Sequence, residues 1–255
     1  MGIELYRFCR AVGVVLAFVA FAGAVHAGGN AAFRLLTLDG AGVKWANNLG
    51  TTPTVTYAIV RNNSRFPHAR NCKGVQSPDS LLSASGIERH SFDQEVRAAF
   101  DMWEQVTDIN FQEIDDVDAA GILIGAQSEP EGHAFANVDY KLGEGQFRQI
   151  DKSLICLNPK KKWKVGFGGS LAVYDLRYTI AHEIGHAIGL DHPDSSGQLM
   201  SFTYTEHFRS LRDGDVEGVI RIYGSRRLPS SLRTDLQRSQ QPPVTKSAAS
   251  QRRPS

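Results

Sequence analysis

One run constrains this chain more than any other: His182-Glu183-Ile184-Gly185-His186-Ala187-Ile188-Gly189-Leu190-Asp191-His192. It reads H-E-x-x-H-x-x-G-x-x-H, and each fixed position has its own physical job. Residues four apart share a helix face, so His182 and His186 can aim two imidazoles at one cation. Glu183 stands one residue along, where a carboxylate reaches a water held by that cation. Gly189 permits the positive φ that ends a helix and turns the chain back. His192 then arrives as a third ligand. Three protein ligands and an open fourth position describe a catalytic zinc site rather than a closed structural one. The bland alternative, a core helix with inert hydrogen-bonded histidines, accounts for neither Glu183 nor the placing of His192.

The rest of the chain must supply a scaffold. Its 255 residues allow one domain plus tails, and a net charge of +1 gives no support for nucleic acid as a partner. Residues 1–27 have the form of an export signal: Arg7 and Arg10 make a positive start, residues 12–24 an apolar run, and Val25-His26-Ala27 a cleavage position. The run is shorter than the ~20 residues of a spanning helix. A cleaved signal is therefore expected over a membrane anchor, and a secreted location, extracellular or periplasmic. Cys9 leaves with the signal. Cys72 and Cys156 remain as a pair in an oxidising compartment, and two readings stay open: a Cys72–Cys156 disulfide, or a free Cys72 thiolate that ligates the zinc and keeps the site latent.

Patterning predicts an α+β layer arrangement. Residues 28–52 read as a weakly patterned N-terminal segment in which Trp45 packs. Residues 54–60 read as a first strand and 61–90 as a long surface loop. Ser91 and Gln94 form a capping box, opening a helix from Phe92 to Val106 with Val96, Phe100 and Trp103 on one stripe. Strands follow at 109–114, 121–125, 133–136 and 153–157. Asp175 caps the metal helix, Leu176 to Ile188, which carries Tyr178 on its ligand-bearing side, where it can line a substrate pocket. A last helix runs from Asp213 to Tyr223 and ends at Gly224. Beyond it, residues 225–255 scatter Arg and Lys among Ser, Gln and Pro and read as a disordered basic tail.

These residues carry a resemblance. His182 to His192 matches the metzincin zinc motif, and Met200 fits that clan's Met-turn. Within the clan the chain resembles a matrixin: residues 215–224 are similar to the family's D-I-x-G-I-x-x-L-Y-G ending, and Ala98-Ala99-Phe100-Asp101-Met102-Trp103 to its first helix. The resemblance implies a catalytic domain over 53–224 with a twisted mixed sheet, a long N-terminal helix, an active-site helix and a C-terminal helix.

It implies His182, His186 and His192 as Zn²⁺ ligands, Glu183 as the catalytic carboxylate and Met200 as the supporting methionine. His133 and Ala134 resemble the H-A-F edge strand that pairs with substrate backbone. Tyr204 matches the P-x-Y of the pocket wall, with Phe202 replacing the proline. The family's second, structural zinc is expected to be absent, because the loop before His133 holds no second histidine. Calcium is common in the family, though no ligands for it can be placed.

The expected function is that of a minimal, secreted, bacterial-type zinc endopeptidase acting as a monomer. It would hydrolyse protein or peptide substrates through a metal-activated water, with Glu183 as general base. The alternatives are a secreted zinc-containing binding protein without turnover, and a zinc peptidase acting on cell-wall peptides.

Overall fold

The computed structural model describes residues 32–46, 51–127, 132–143 and 145–226. The expected export signal, and all of the basic tail beyond residue 226, lie outside them. Among the described residues no helix is long and apolar enough to cross a membrane.

Three short strands come first: β1 (Arg34–Leu35), β2 (Thr37–Leu38) and β3 (Ala41–Lys44). Then follow β4 (Thr54–Ile59), β5 (Ser64–Arg65), β6 (Gly74–Val75), α1 (Asp79–Ser85) and α2 (Arg89–Glu104). The middle of the chain is β-rich, with β7 (Asn110–Glu113), β8 (Ile122–Ala126), β9 (Ala134–Tyr140), β10 (Phe147–Leu157), β11 (Lys162–Lys164) and β12 (Val173–Asp175). The chain closes with α3 (Leu176–Ala187), β13 (Leu190–Asp191) and α4 (Asp213–Tyr223).

The main sheet is mixed, as the resemblance implied, with strand order β2-β3-β10-β8-β4-β7 and β9 paired to β10. β10 lies parallel to β3 and β8 but antiparallel to β9. Period-two alternation divides the residues between two cores. Ile155 and Leu157 of β10 face the large core with α2 and α3, whereas Leu154 and Cys156 face a smaller one on the other side of the sheet. Helix α2 contributes Val96, Phe100 and Trp103, all buried, at helical spacing. Burial of each such side chain stabilises the fold by about 2–3 kcal/mol. Trp103 also donates its indole N–H to the Ala181 carbonyl at 2.9 Å, tying α2 to the metal helix.

Several expectations need correction. Residues 61–90 are not one loop: the β5–β6 pair, α1 and the start of α2 lie within them. The β5–β6 strands and α1 run two to seven residues, too short to show an apolar period. Helix α2 begins at Arg89 rather than Phe92, and no capping box stands at Ser91; an Arg89–Asp93 ion pair of 2.8 Å sits in its first turn. The weakly patterned N-terminal segment supplies three strands, and Trp45 packs in the large core. β10 runs six residues further toward the N-terminus than expected, because its polar half pairs with β3 and β9 at the sheet's margin.

Candidate metal centre and active-site cleft

Helix α3 is built to hold histidines still. Its cap is Asp175, fully buried, whose carboxylate accepts from the Tyr178 amide at 2.9 Å. The same carboxylate accepts from the Gly166 amide and makes a two-point ion pair with Arg209. Glu95 on α2 is buried between Arg177 and Arg209. At the other end, the Ala187 carbonyl accepts from the Trp45 indole and the Ile188 carbonyl from the Tyr223 hydroxyl. Side chains from distant segments thus satisfy carbonyls that a helix terminus leaves open.

Gly189 has φ +105, and a Cβ there would meet the Val43 carbonyl oxygen at 2.3 Å. Both the turn and the close approach of β3 require glycine. The chain reverses here into β13, which pairs antiparallel with β1, and His192 follows directly.

The three imidazoles converge. Nε2 of His192 lies 3.1 Å from Nε2 of His182 and 3.2 Å from Nε2 of His186. His182 donates from Nδ1 to the Leu199 carbonyl and His186 from Nδ1 to the Leu190 carbonyl, each at 2.8 Å. Those bonds place the ring hydrogens on Nδ1 and leave the Nε2 lone pairs facing a common point. Four tetrahedral ligands about 2.0–2.1 Å from zinc stand roughly 3.3 Å apart, so this donor set fits the ion. Burial holds the imidazoles neutral: it lowers His182 well below the usual histidine value and His186 to about 4, with neighbouring imidazoles adding to the effect. His192 is lowered too, chiefly by burial, with Asp191 opposing.

Glu183 opens on the same cleft and is 4% exposed. Burial pushes its carboxyl up to about 8, against a hydrogen bond from the Ala136 backbone that pulls it down. Met200 is buried below the helix, where a Cβ on Gly185 would meet its sulfur at 2.2 Å. The Met200 and Leu199 amides both donate to Asp215 on α4, at 3.0 and 2.8 Å. Since the Leu199 carbonyl orients His182, Asp215 reaches the metal centre through one turn of chain.

The cleft has a volume of about 750 Å³ and is lined by the three histidines, Glu183, His133, Ala134, Ala136, Tyr178 and Tyr204, among others. His133 stacks flat on Tyr174 with ring centroids 4.2 Å apart. Tyr204 accepts from the Asp175 amide and donates to Glu206, each at 2.8 Å, so the cleft wall is tied to the helix cap. Tyr178 is buried with its ring against Tyr204, Phe167 and Phe208. Phe202 is 81% exposed and presents an edge to His192.

Comparison with known proteins agrees with this geometry. The matrixin family model, a peptidase family, matches residues 80–224. The chain belongs to the matrixin family. It is 28% identical over 166 residues to stromelysin-2 of Rattus norvegicus, covering 57% of this chain and 30% of that protein. It is 26% identical over 185 residues to interstitial collagenase A of Mus musculus, covering 69% and 37%. Metalloendoproteinase 1-MMP of Arabidopsis thaliana is 30% identical over 135 residues, covering 50% and 36%. This matrixin chain therefore spans about a third of the length of these curated relatives.

Some features of this matrixin's site have no local sequence signal. Asp215 and Glu95 are ordinary charged residues until the fold buries them, as are Arg177 and Arg209 until it pairs them with Glu95 and Asp175. The backbone that meets Glu183 belongs to Ala136, two residues past the expected His133–Ala134 pair. Asp191 accepts from the His192 amide at 2.8 Å and pairs with Arg34 at 3.1 Å. Cys72 and Cys156 are disulfide-bonded, with sulfurs 2.11 Å apart. They lie in the smaller core, on the face of the sheet away from the histidines, so a Cys72 thiolate has no route to the metal centre in this fold.

Proposed function

We propose that this protein is a secreted zinc endopeptidase that cleaves protein or peptide chains, with His182, His186 and His192 as the metal ligands and Glu183 as general base. The observation that carries the reading is the convergence of three Nε2 lone pairs beside a carboxyl group that no ion pair ties down among the described residues. A structural zinc site has no use for that free carboxyl, which disfavours a binding protein without turnover. Family membership and the relatives' names, a stromelysin, a collagenase and a metalloendoproteinase, support the same class of reaction.

Zinc bound at this site supplies Lewis acidity, polarising the scissile carbonyl and bringing the pKa of water toward neutrality. The chain's own residues do the rest. Edge strand β9 offers backbone groups to an extended peptide, and the buried walls exclude bulk water. Glu183, as its carboxylate, takes the proton of the attacking water and returns it to the leaving amine. Tyr178 and Tyr204 shape the pocket that receives a substrate side chain. The protein acts as a monomer after removal of its export signal.

The test is digestion of a mixed peptide library by the zinc-loaded protein, with and without a chelator. Internal cleavage that the chelator stops and zinc restores is expected. Zinc binding without cleavage of any peptide would reject turnover, and cleavage confined to cell-wall peptides would move the substrate class.

A further inference from the structure

The segment joining β4 to α1 has no part in the metal centre, and it lies ahead of the stretch that the matrixin model matches. It is nonetheless held at several points. Phe66 donates to the Lys73 carbonyl and Ala69 to the Phe66 carbonyl, at 2.8 and 3.0 Å. The Gly74 amide donates to the Gln127 side chain at 3.0 Å. Cys72 is bonded to Cys156 of β10. Ala69 and Cys72 are buried in the smaller core, and Arg70 between them is exposed.

Arg70 is the residue this framework presents. Its backbone amide donates to the Asn137 side chain of β9 at 2.8 Å, and Arg70 lines the same cleft as the histidines. Asn137 follows Ala136, whose backbone meets Glu183, so the guanidinium is launched one residue along the edge strand from the reacting centre. The other charged residues lining the cleft are acidic: Glu183, and Asp191, which is paired with Arg34. No carboxylate is paired with Arg70 among the described residues.

We propose that Arg70 is a specificity-determining residue that selects an acidic side chain on the peptide lying along β9. The proposal deepens the peptidase reading and rests on it. The physical case is preorganisation. A guanidinium on a floppy loop gives up most of its ion-pair energy to ordering, whereas one launched from a backbone fixed on both sides loses less. An extended chain advances about 3.3 Å per residue, which places the selected carboxylate within about three residues of the scissile bond.

The experiment compares the zinc-loaded protein with its Arg70→Gln and Arg70→Glu variants on a proteome-derived peptide library, with cleavage sites read by mass spectrometry. Asp and Glu are expected to be enriched about threefold to fivefold at one position near the scissile bond, the size of a partly exposed charge pair. The enrichment should vanish in Arg70→Gln and give way to Lys and Arg in Arg70→Glu. Identical profiles for all three proteins overturn the assignment.

A binding measurement keeps this proposal separable from the reading beneath it. Fluorescein-labelled dodecapeptide pools, with Glu or Gln fixed at each position in turn, are titrated onto zinc-loaded Glu183→Gln protein. Glu is expected to bind about threefold tighter than Gln at some positions, and adding Arg70→Gln should erase the difference. Should the intact protein cleave nothing, the peptidase reading fails, and the pool affinities alone decide the role of Arg70: equal affinities for Glu and Gln throughout overturn it.

Discussion

The two faces of the main sheet solve the same problem by different means. On the inner face α2 and α3 bury a large apolar core, and buried charges on Asp175, Glu95 and Asp215 anchor the loops around the metal centre. Among the described residues the outer face has a smaller core of nine buried residues, closed by the Cys72–Cys156 bond and covered by the β5–β6 segment. One face gains rigidity from packing and satisfied charges; the other needs a covalent tie. The contrast teaches where the chemistry can be tuned. Changes on the inner face move ligands, whereas changes on the outer face move stability and what the cleft admits.

Four measurements test this division between the two faces. The largest effect belongs to Glu183→Gln, expected to lower kcat/KM on the order of a thousandfold while zinc content by elemental analysis stays at one per chain. Next is Asp215→Ala, which strips two buried amides of their acceptor. It should cost roughly 3–4 kcal/mol in denaturant unfolding and speed zinc loss to a chelator, since the Leu199 carbonyl holds His182. Replacing Cys72 and Cys156 together by serine should cost about 3 kcal/mol and leave the rate of zinc loss within roughly twofold of the parent. A comparable change in zinc release from both variants would erase the distinction between the faces.

The smallest effect is in pH dependence of the metal-stripped protein. The folded pKa of Glu183, about 8, exceeds its unfolded value, so its contribution to stability is present at low pH and lost as pH rises toward 8. His186, lowered to about 4 by burial, acts oppositely: its contribution is present above the unfolded histidine pKa and lost as pH falls from there toward 4. Glu183→Gln removes only the first effect. In thermal unfolding its advantage over the parent should grow steadily between pH 5 and 8. An advantage that shrinks with rising pH would show that the carboxyl is not held in its neutral form.

Legibility follows the same division. The metal helix, its Asp175 cap, the Gly189 turn and the last helix could be read directly, because each rests on a short-range rule: ligand spacing, a capping oxygen, a positive φ, an apolar stripe. The stripe of α2 was legible too, but not its start, since the Arg89–Asp93 pair replaces the cap that Ser91 and Gln94 suggested. The β5–β6 pair and β1–β3 were not legible. They are strands of two to four residues, too short to show an alternation. β2–β3 and β5–β6 pair locally, but β1 meets β13 and β3 meets β10 only at long range, and Arg34 finds Asp191 only after the chain has folded around α3. The buried charges were missed for the same reason. Glu95 and Arg209 become partners across 114 positions of sequence, a distance at which pattern carries no information.

The central claim is that three imidazoles share one cation while Glu183 stays off it. X-ray absorption at the zinc edge of the metal-loaded protein tests this most directly. Three imidazole nitrogens at about 2.0–2.1 Å with a single further light-atom ligand are expected, unchanged in Glu183→Gln. A sulfur shell near 2.3 Å, or a spectrum that changes when Glu183 is replaced, would contradict it.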